Sequence, residues 1–158
     1  MHKTKIDLSK ESREKLVDIL NSRLADATDL QSQAKQAHWN VKGMSFIGLH
    51  ELFDQVATNV ENYVDLIAER VTALGGTAMG TIRVAAEKSS LREYPHEITD
   101  GADHVDALST ALADFGKNVR RNIDDADELE DKDTADLFTE ISRGIDKDLW
   151  FVEAHIQS

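Results

Sequence analysis

Residues 50–69 read HELFDQVATNVENYVDLIAE, and they decide the fold because apolar positions recur along them at three- and four-residue steps, the period of an α-helix buried on one face. Two pairs of metal-ligating side chains share this helix, His50 with Asp54 and Asp65 with Glu69, each at the i, i+4 spacing that puts both members on one face. At about 1.5 Å of rise per residue, Asp54 and Asp65 are separated by roughly 16 Å along the axis. The two pairs therefore cannot close on one ion within a single chain. Solvated surface charge is the plain alternative for such a helix.

Outward from this stretch, the helix continues through Val71 and Leu74 and stops at Gly75 and Gly76. Upstream, Leu16, Ile19, Leu20, Leu24, Ala27, Leu30, Ala34, Ala37 and Val41 trace the apolar face of a first helix. Asp7 or Ser9 can cap its start, and Gly43 follows its end. Downstream, a third helix is expected from near Thr99, carrying Val105, Leu108, Leu112, Phe115, Val119 and Ile123. A fourth starts near Asp133, expected as its cap, and carries Leu137, Ile141, Ile145, Leu149, Val152 and Ile156. Residues 77–98 hold Gly80 and the single proline, Pro95, with IRVAAEKSSL as a short helix inside a long connection. Short, long, short links between four helices match the ferritin-like bundle topology. Residues 1–8 read as a short arm and 9–158 as one bundle.

Composition narrows the chemistry. The 158 residues suit one domain, with 41% hydrophobic and 30% charged residues, a globular balance. No apolar run approaches the ~20 residues of a membrane span, and MHKTKIDLSKESREKL lacks the apolar core of a signal peptide. A bacterial cytoplasmic location is the expectation. With no cysteine, a metal site must use His and carboxylates, which favours Fe, Mn or Zn. A formal charge of −12 opposes attraction to nucleic-acid phosphates, and the arm offers only Lys3 and Lys5 against Asp7. No glycine-rich phosphate loop and no nucleophile elbow is present.

Glu-x-x-His, the ligand string of a di-iron site inside one bundle, occurs only at Glu93–His96, where Pro95 takes it off a regular helix. A site between two chains fits better. The pairs His50–Glu69 and Asp54–Asp65 share one midpoint, between residues 59 and 60. Two copies of this helix, antiparallel about a two-fold axis at that point, bring the histidine end of each level with the acidic end of the other and generate two identical sites. His38 joins if the turn KGMSF folds it beside His50. Two His and three carboxylates suit Fe(II) with open positions for an oxidant.

The stretch QAHWNVKGMSFIGLHELFDQVATNVENYVDLIAERVTALGG resembles the Dps family of mini-ferritins, in its HWN, its second His, and its DxxxxxxxxxxDxxxE pattern, and DKDLWFVEAHI resembles the family's last helix. The resemblance implies a spherical dodecamer. In it, a ferroxidase centre at each two-fold interface takes His38, His50 and Asp54 from one subunit and Asp65 and Glu69 from its partner. It also implies oxidation of Fe(II), preferentially by hydrogen peroxide rather than oxygen, and storage of ferric iron in the shell. Trp39 resembles a family tryptophan near the centre, with packing or a sink for stray oxidising equivalents as its roles.

DDADELEDKDTAD, residues 124–136, carries eight acidic residues and one lysine. A solvated connector is one reading; by resemblance the region lines an iron-entry pore with Asp127, Asp131 and Asp136 as candidates, Lys132 among them. DNA binding does not carry over with the family, because twelve copies at −12 each sum to −144 and the arm is poor in lysine. A DNA-compacting shell associated with the nucleoid is one alternative. Another is a cage of the same fold holding zinc, which accepts the same ligands without redox chemistry.

Overall fold

The computed structural model describes residues 1–157, and five helices account for most of them. They are α1 (Lys10–Asn40), α2 (Phe46–Ala73), α3 (Ile82–Lys88), α4 (Gly101–Glu128) and α5 (Lys132–Glu153). No strand occurs among the described residues, where the only bridge is an isolated pair between Lys42 and Asp100. α1 and α2 form one antiparallel hairpin and α4 and α5 the other; the crossover containing α3 lies between α2 and α4. This is the ferritin-like topology expected from the link lengths. None of the helices among the described residues is long and apolar enough to cross a membrane.

Local chemistry sets each boundary. Ser9 caps α1, its hydroxyl accepting from the Ser12 amide at 3.0 Å, so Ser9 fills the role that it shared with Asp7 as a candidate. α2 ends at Ala73, and Gly75 follows with φ +86°, a left-handed turn in which a Cβ would lie 2.6 Å from the His2 carbonyl oxygen. The His2 amide donates to the Gly75 carbonyl at 2.6 Å, which lays the N-terminal arm back onto the bundle. Asp100 caps α4 by accepting from the Ala102 amide at 3.0 Å.

The cap of α5 is Asp131, not Asp133 as expected. Asp131 accepts from the Thr134 amide at 3.1 Å and from the Thr134 hydroxyl, and Arg70 of α2 grips both its oxygens at 2.7 and 2.9 Å. Two aspartates flank Lys132, and the guanidinium on another helix selects between them.

The core is apolar through its middle, with Leu20, Leu24, Phe53, Val60, Leu112, Phe115, Phe138 and Ile141 fully buried. Ile156 lies past the end of α5 and is exposed, so the apolar stripe expected to run to it stops at Val152. Polar groups inside serve the crossover. Arg23 pairs with the buried Asp26 at 2.9 Å, and Asp26 accepts from the Ser90 amide at 2.7 Å, while Ser89 donates to Asp29 at 2.6 Å. Burial pushes the His104 imidazole below its usual value, and its Nδ1 hydrogen-bonds the Tyr94 hydroxyl 2.6 Å away, fastening the crossover to α4. Glu93 and His96 lie on this crossover, outside any helix.

Candidate metal centre

His38 stands in the last turn of α1 and His50 at the start of the second turn of α2, and the Val41–Ser45 turn folds one onto the other. The rings stack with centroids 3.8 Å apart and planes 19° from parallel. Each ring is locked by the other residue's backbone: His38 Nδ1 lies 2.7 Å from the His50 carbonyl oxygen and His50 Nδ1 lies 2.8 Å from the His38 carbonyl oxygen. A carbonyl only accepts, so both Nδ1 atoms must carry a proton, and in the neutral form of each ring Nε2 keeps a bare lone pair. This backbone lock is how metal-binding histidines are held in the ligating tautomer. Phe46 closes on the His50 ring at 5.1 Å.

Asp54 follows His50 by one turn. Its carboxylate accepts from Lys35 Nζ of α1 at 2.6 Å, and that hydrogen bond holds it below the usual carboxylate range. The positive charge the two imidazoles can carry adds in the same direction, placing Asp54 within their electrostatic reach. The same ammonium lies 5.7 Å from the centre of the Trp39 ring. Trp39 is 66% exposed, so it packs into no core of its own chain.

Asp65 and Glu69 are exposed, further along α2. Among the described residues of one chain, no three His, Asp or Glu side chains gather closely enough to hold a metal ion. The chain thus brings His38 and His50 together, places Asp54 one helical turn beyond His50 and paired with Lys35, and leaves the second carboxylate pair apart. Donor chemistry fits a divalent iron or zinc ion: two imidazole nitrogens that can offer lone pairs, with a carboxylate on the same helix as His50.

Of the pore candidates, Asp131 is corrected. It is 3% exposed and held by Arg70 and Thr134. Burial works to raise its carboxyl, but these donors outweigh it and hold the group below its usual value. It is a helix cap and ion-pair partner, with no oxygen free to face a channel. Asp127 is exposed and paired with Lys132, and Asp136 is exposed.

Lys35 escaped the sequence reading, although a signal was present. Once His38 faces His50 across the hairpin, one turn back along α1 and one turn on along α2 give Lys35 and Asp54. Asp148 escaped it too: this α5 carboxylate is 4% exposed, accepts from the Asn59 amide at 2.9 Å and leaves Oδ2 unpartnered.

The fold is that of the ferritin-like class, and the model of the ferritin-like domain matches residues 17–158. A DNA protection during starvation protein from Agrobacterium fabrum is 47% identical over 99% of this chain and 96% of its own length. The chain belongs to the Dps family. Among solved structures, a Mycobacterium smegmatis Dps superposes with a TM-score of 0.94 at 30% identity, covering 99% of this chain and 96% of that one. A Microbacterium arborescens Dps in its high-iron form gives 0.87 at 34% identity, over 94% and 96% of the two chains.

Proposed function

We propose that this chain is a mini-ferritin that oxidises Fe(II) at di-iron centres shared between subunits and keeps the ferric product inside a hollow dodecamer. Iron storage and protection are the family's role; the oxidant, the residues and the assembly are our reading. One observation carries it: the mutual locking of His38 and His50 leaves two bare Nε2 atoms at a site one chain leaves open. The missing ligands then come from a second copy, whose Asp65 and Glu69 are free on the surface and share the two-fold midpoint with Asp54 and His50. The high-iron form of the Microbacterium arborescens relative supports iron as the cargo.

Hydrogen peroxide is the preferred oxidant in this reading. Two Fe(II) ions held by one ligand set give one electron each. The O–O bond breaks on taking both, and two protons complete two waters. Paired delivery avoids the one-electron cleavage that releases hydroxyl radical, so storage and protection are one reaction. The histidines and carboxylates hold both irons, and the cavity receives the ferric product. Asp127 and Asp136 are the remaining candidates for drawing Fe(II) inward. DNA is not a partner at physiological salt in this reading, because the arm that carries Lys3 and Lys5 is laid against the bundle at His2 and the chain has a formal charge of −12.

The test mixes metal-free protein anaerobically with about two Fe(II) per subunit, adds peroxide, and follows ferric absorbance, the ratio being that of a di-iron centre. Wild type oxidises fast, and His50→Ala and Asp65→Ala each lose the rate. Co-assembly of the two variants restores part of it, since a mixed dimer carries one intact centre. No acceleration over protein-free iron would overturn the proposal.

A further inference from the structure

We infer that Lys35 is a resident cation of the centre, expelled when metal enters, and that its expulsion couples occupancy at Asp54 to the environment of Trp39. The inference rests on the shared-centre reading above.

Lys35 makes two contacts that meet in one atom. Its Nζ donates to Asp54 Oδ1 at 2.6 Å and lies 5.7 Å from the centroid of the Trp39 ring. All three side chains are partly open to solvent, with Lys35 at 31% and Asp54 at 49% exposure, so the ammonium has somewhere to go. A divalent ion bound through Asp54 approaches the carboxylate oxygen to about 2.0–2.2 Å. An ammonium within hydrogen-bond reach of that oxygen is then a like charge a few ångströms from the metal, and the two cannot share the carboxylate without repulsion.

Two consequences follow. While the centre is empty, Lys35 neutralises Asp54 and keeps the carboxylate placed beside the two histidines. An ion that uses Asp54 displaces this ammonium from Oδ1 or is repelled by it from Oδ2, which lowers affinity by roughly tenfold, the scale of an exposed ion pair plus one repelled charge. Once expelled, the ammonium also leaves the indole, so Trp39 registers the loss of a cation held near its ring. Lys35 is thereby a positioning residue, acting on metal through Asp54.

The experiment uses the full-length, metal-free protein carrying Trp150→Phe, which leaves Trp39 as the only tryptophan. Zinc(II) alone is the probe, being redox-silent and free of paramagnetic quenching. Affinity is read by calorimetry and the indole by its emission. Lys35→Met, which keeps the stem and removes the charge, tightens zinc binding roughly tenfold and loses most of the zinc-induced emission change. Lys35→Arg keeps the charge and retains both wild-type behaviours. Zinc affinity in Lys35→Met within twofold of wild type, or a Trp39 emission that zinc leaves unchanged when Lys35 is present, overturns the inference. Zinc binding that survives both His50→Ala and Asp65→Ala undiminished overturns the shared centre itself. Binding lost in those two variants yet indifferent to Lys35→Met overturns the role of Lys35 alone.

Discussion

Asp148 provides a test of the energetics that is independent of any metal. Burial between α5 and α2 raises its carboxyl from 3.8 to about 6, against the opposing hydrogen bond from Asn59 and the charge of Lys147. Because the folded value lies above the unfolded one, the folded state binds more protons between about pH 4 and pH 6, and stability falls as pH rises through that window. The shift of about two units corresponds to roughly 3 kcal/mol lost by pH 7, at 1.36 kcal/mol per unit. Asp148→Asn keeps the shape and the acceptor for Asn59 but cannot ionise. The unpartnered Oδ2 becomes an unpartnered amide, a cost the protonated carboxyl already carries in kind. Urea unfolding of the metal-free wild type and variant across pH 4 to pH 8 isolates the group, since every other carboxylate titrates in both proteins. The variant's stability relative to wild type should climb by up to about 3 kcal/mol between the two ends, with the climb centred near pH 5. A relative stability flat to about 0.5 kcal/mol over the whole range would refute the assignment of a buried, charge-penalised carboxylate to this position.

Three further outcomes separate roles within the acidic connector and on the surface. Asp131→Asn takes from Arg70 its buried charge partner, leaving only the exposed Asp133 at 4.0 Å, and should destabilise the fold by about 3 kcal/mol in thermal or urea unfolding. Asp127→Asn with Asp136→Asn should leave stability within about 0.5 kcal/mol of wild type, but slow Fe(II) uptake at low ionic strength and much less at high salt; uptake unchanged at low salt removes these residues from the entry route. In a mobility-shift assay at physiological salt the assembled protein should leave duplex DNA unretarded, and a persistent shift would show that charge repulsion is overcome by contacts the acidic surface does not suggest.

Periodicity made the four long helices legible because each buries one face; Ser9 and the region of Thr99 marked where two of them start, and Gly75 where one stops. The two candidate ligand pairs could be proposed for a related reason: His50, Asp54, Asp65 and Glu69 lie on one helix, so their spacing is a local property of the sequence. What stayed hidden are choices made by residues far away in the chain. Arg70 selects Asp131 over Asp133 as the cap of α5 from 61 residues upstream, and Lys35 reaches Asp54 across a hairpin.

α5 illustrates the limit most directly. A reading that puts apolar residues inward runs the stripe through Leu137, Ile141, Ile145, Leu149 and Val152. The folded helix instead buries Phe138, Ile141, Ile145, Asp148 and Val152, leaving Leu137 and Leu149 at the margin. The two stripes share three residues and differ by a small rotation, and only the second places a carboxylate inside. Hydrophobic patterning treats burial of Asp148 as an error because it counts the desolvation cost and sees no return. The tertiary structure supplies part of that return through Asn59 on α2 and leaves the remainder unbalanced at Oδ2. The residue that misleads the pattern is therefore also the one whose titration should dominate the pH dependence of stability near pH 5, since both effects have the same origin in a charge taken out of water.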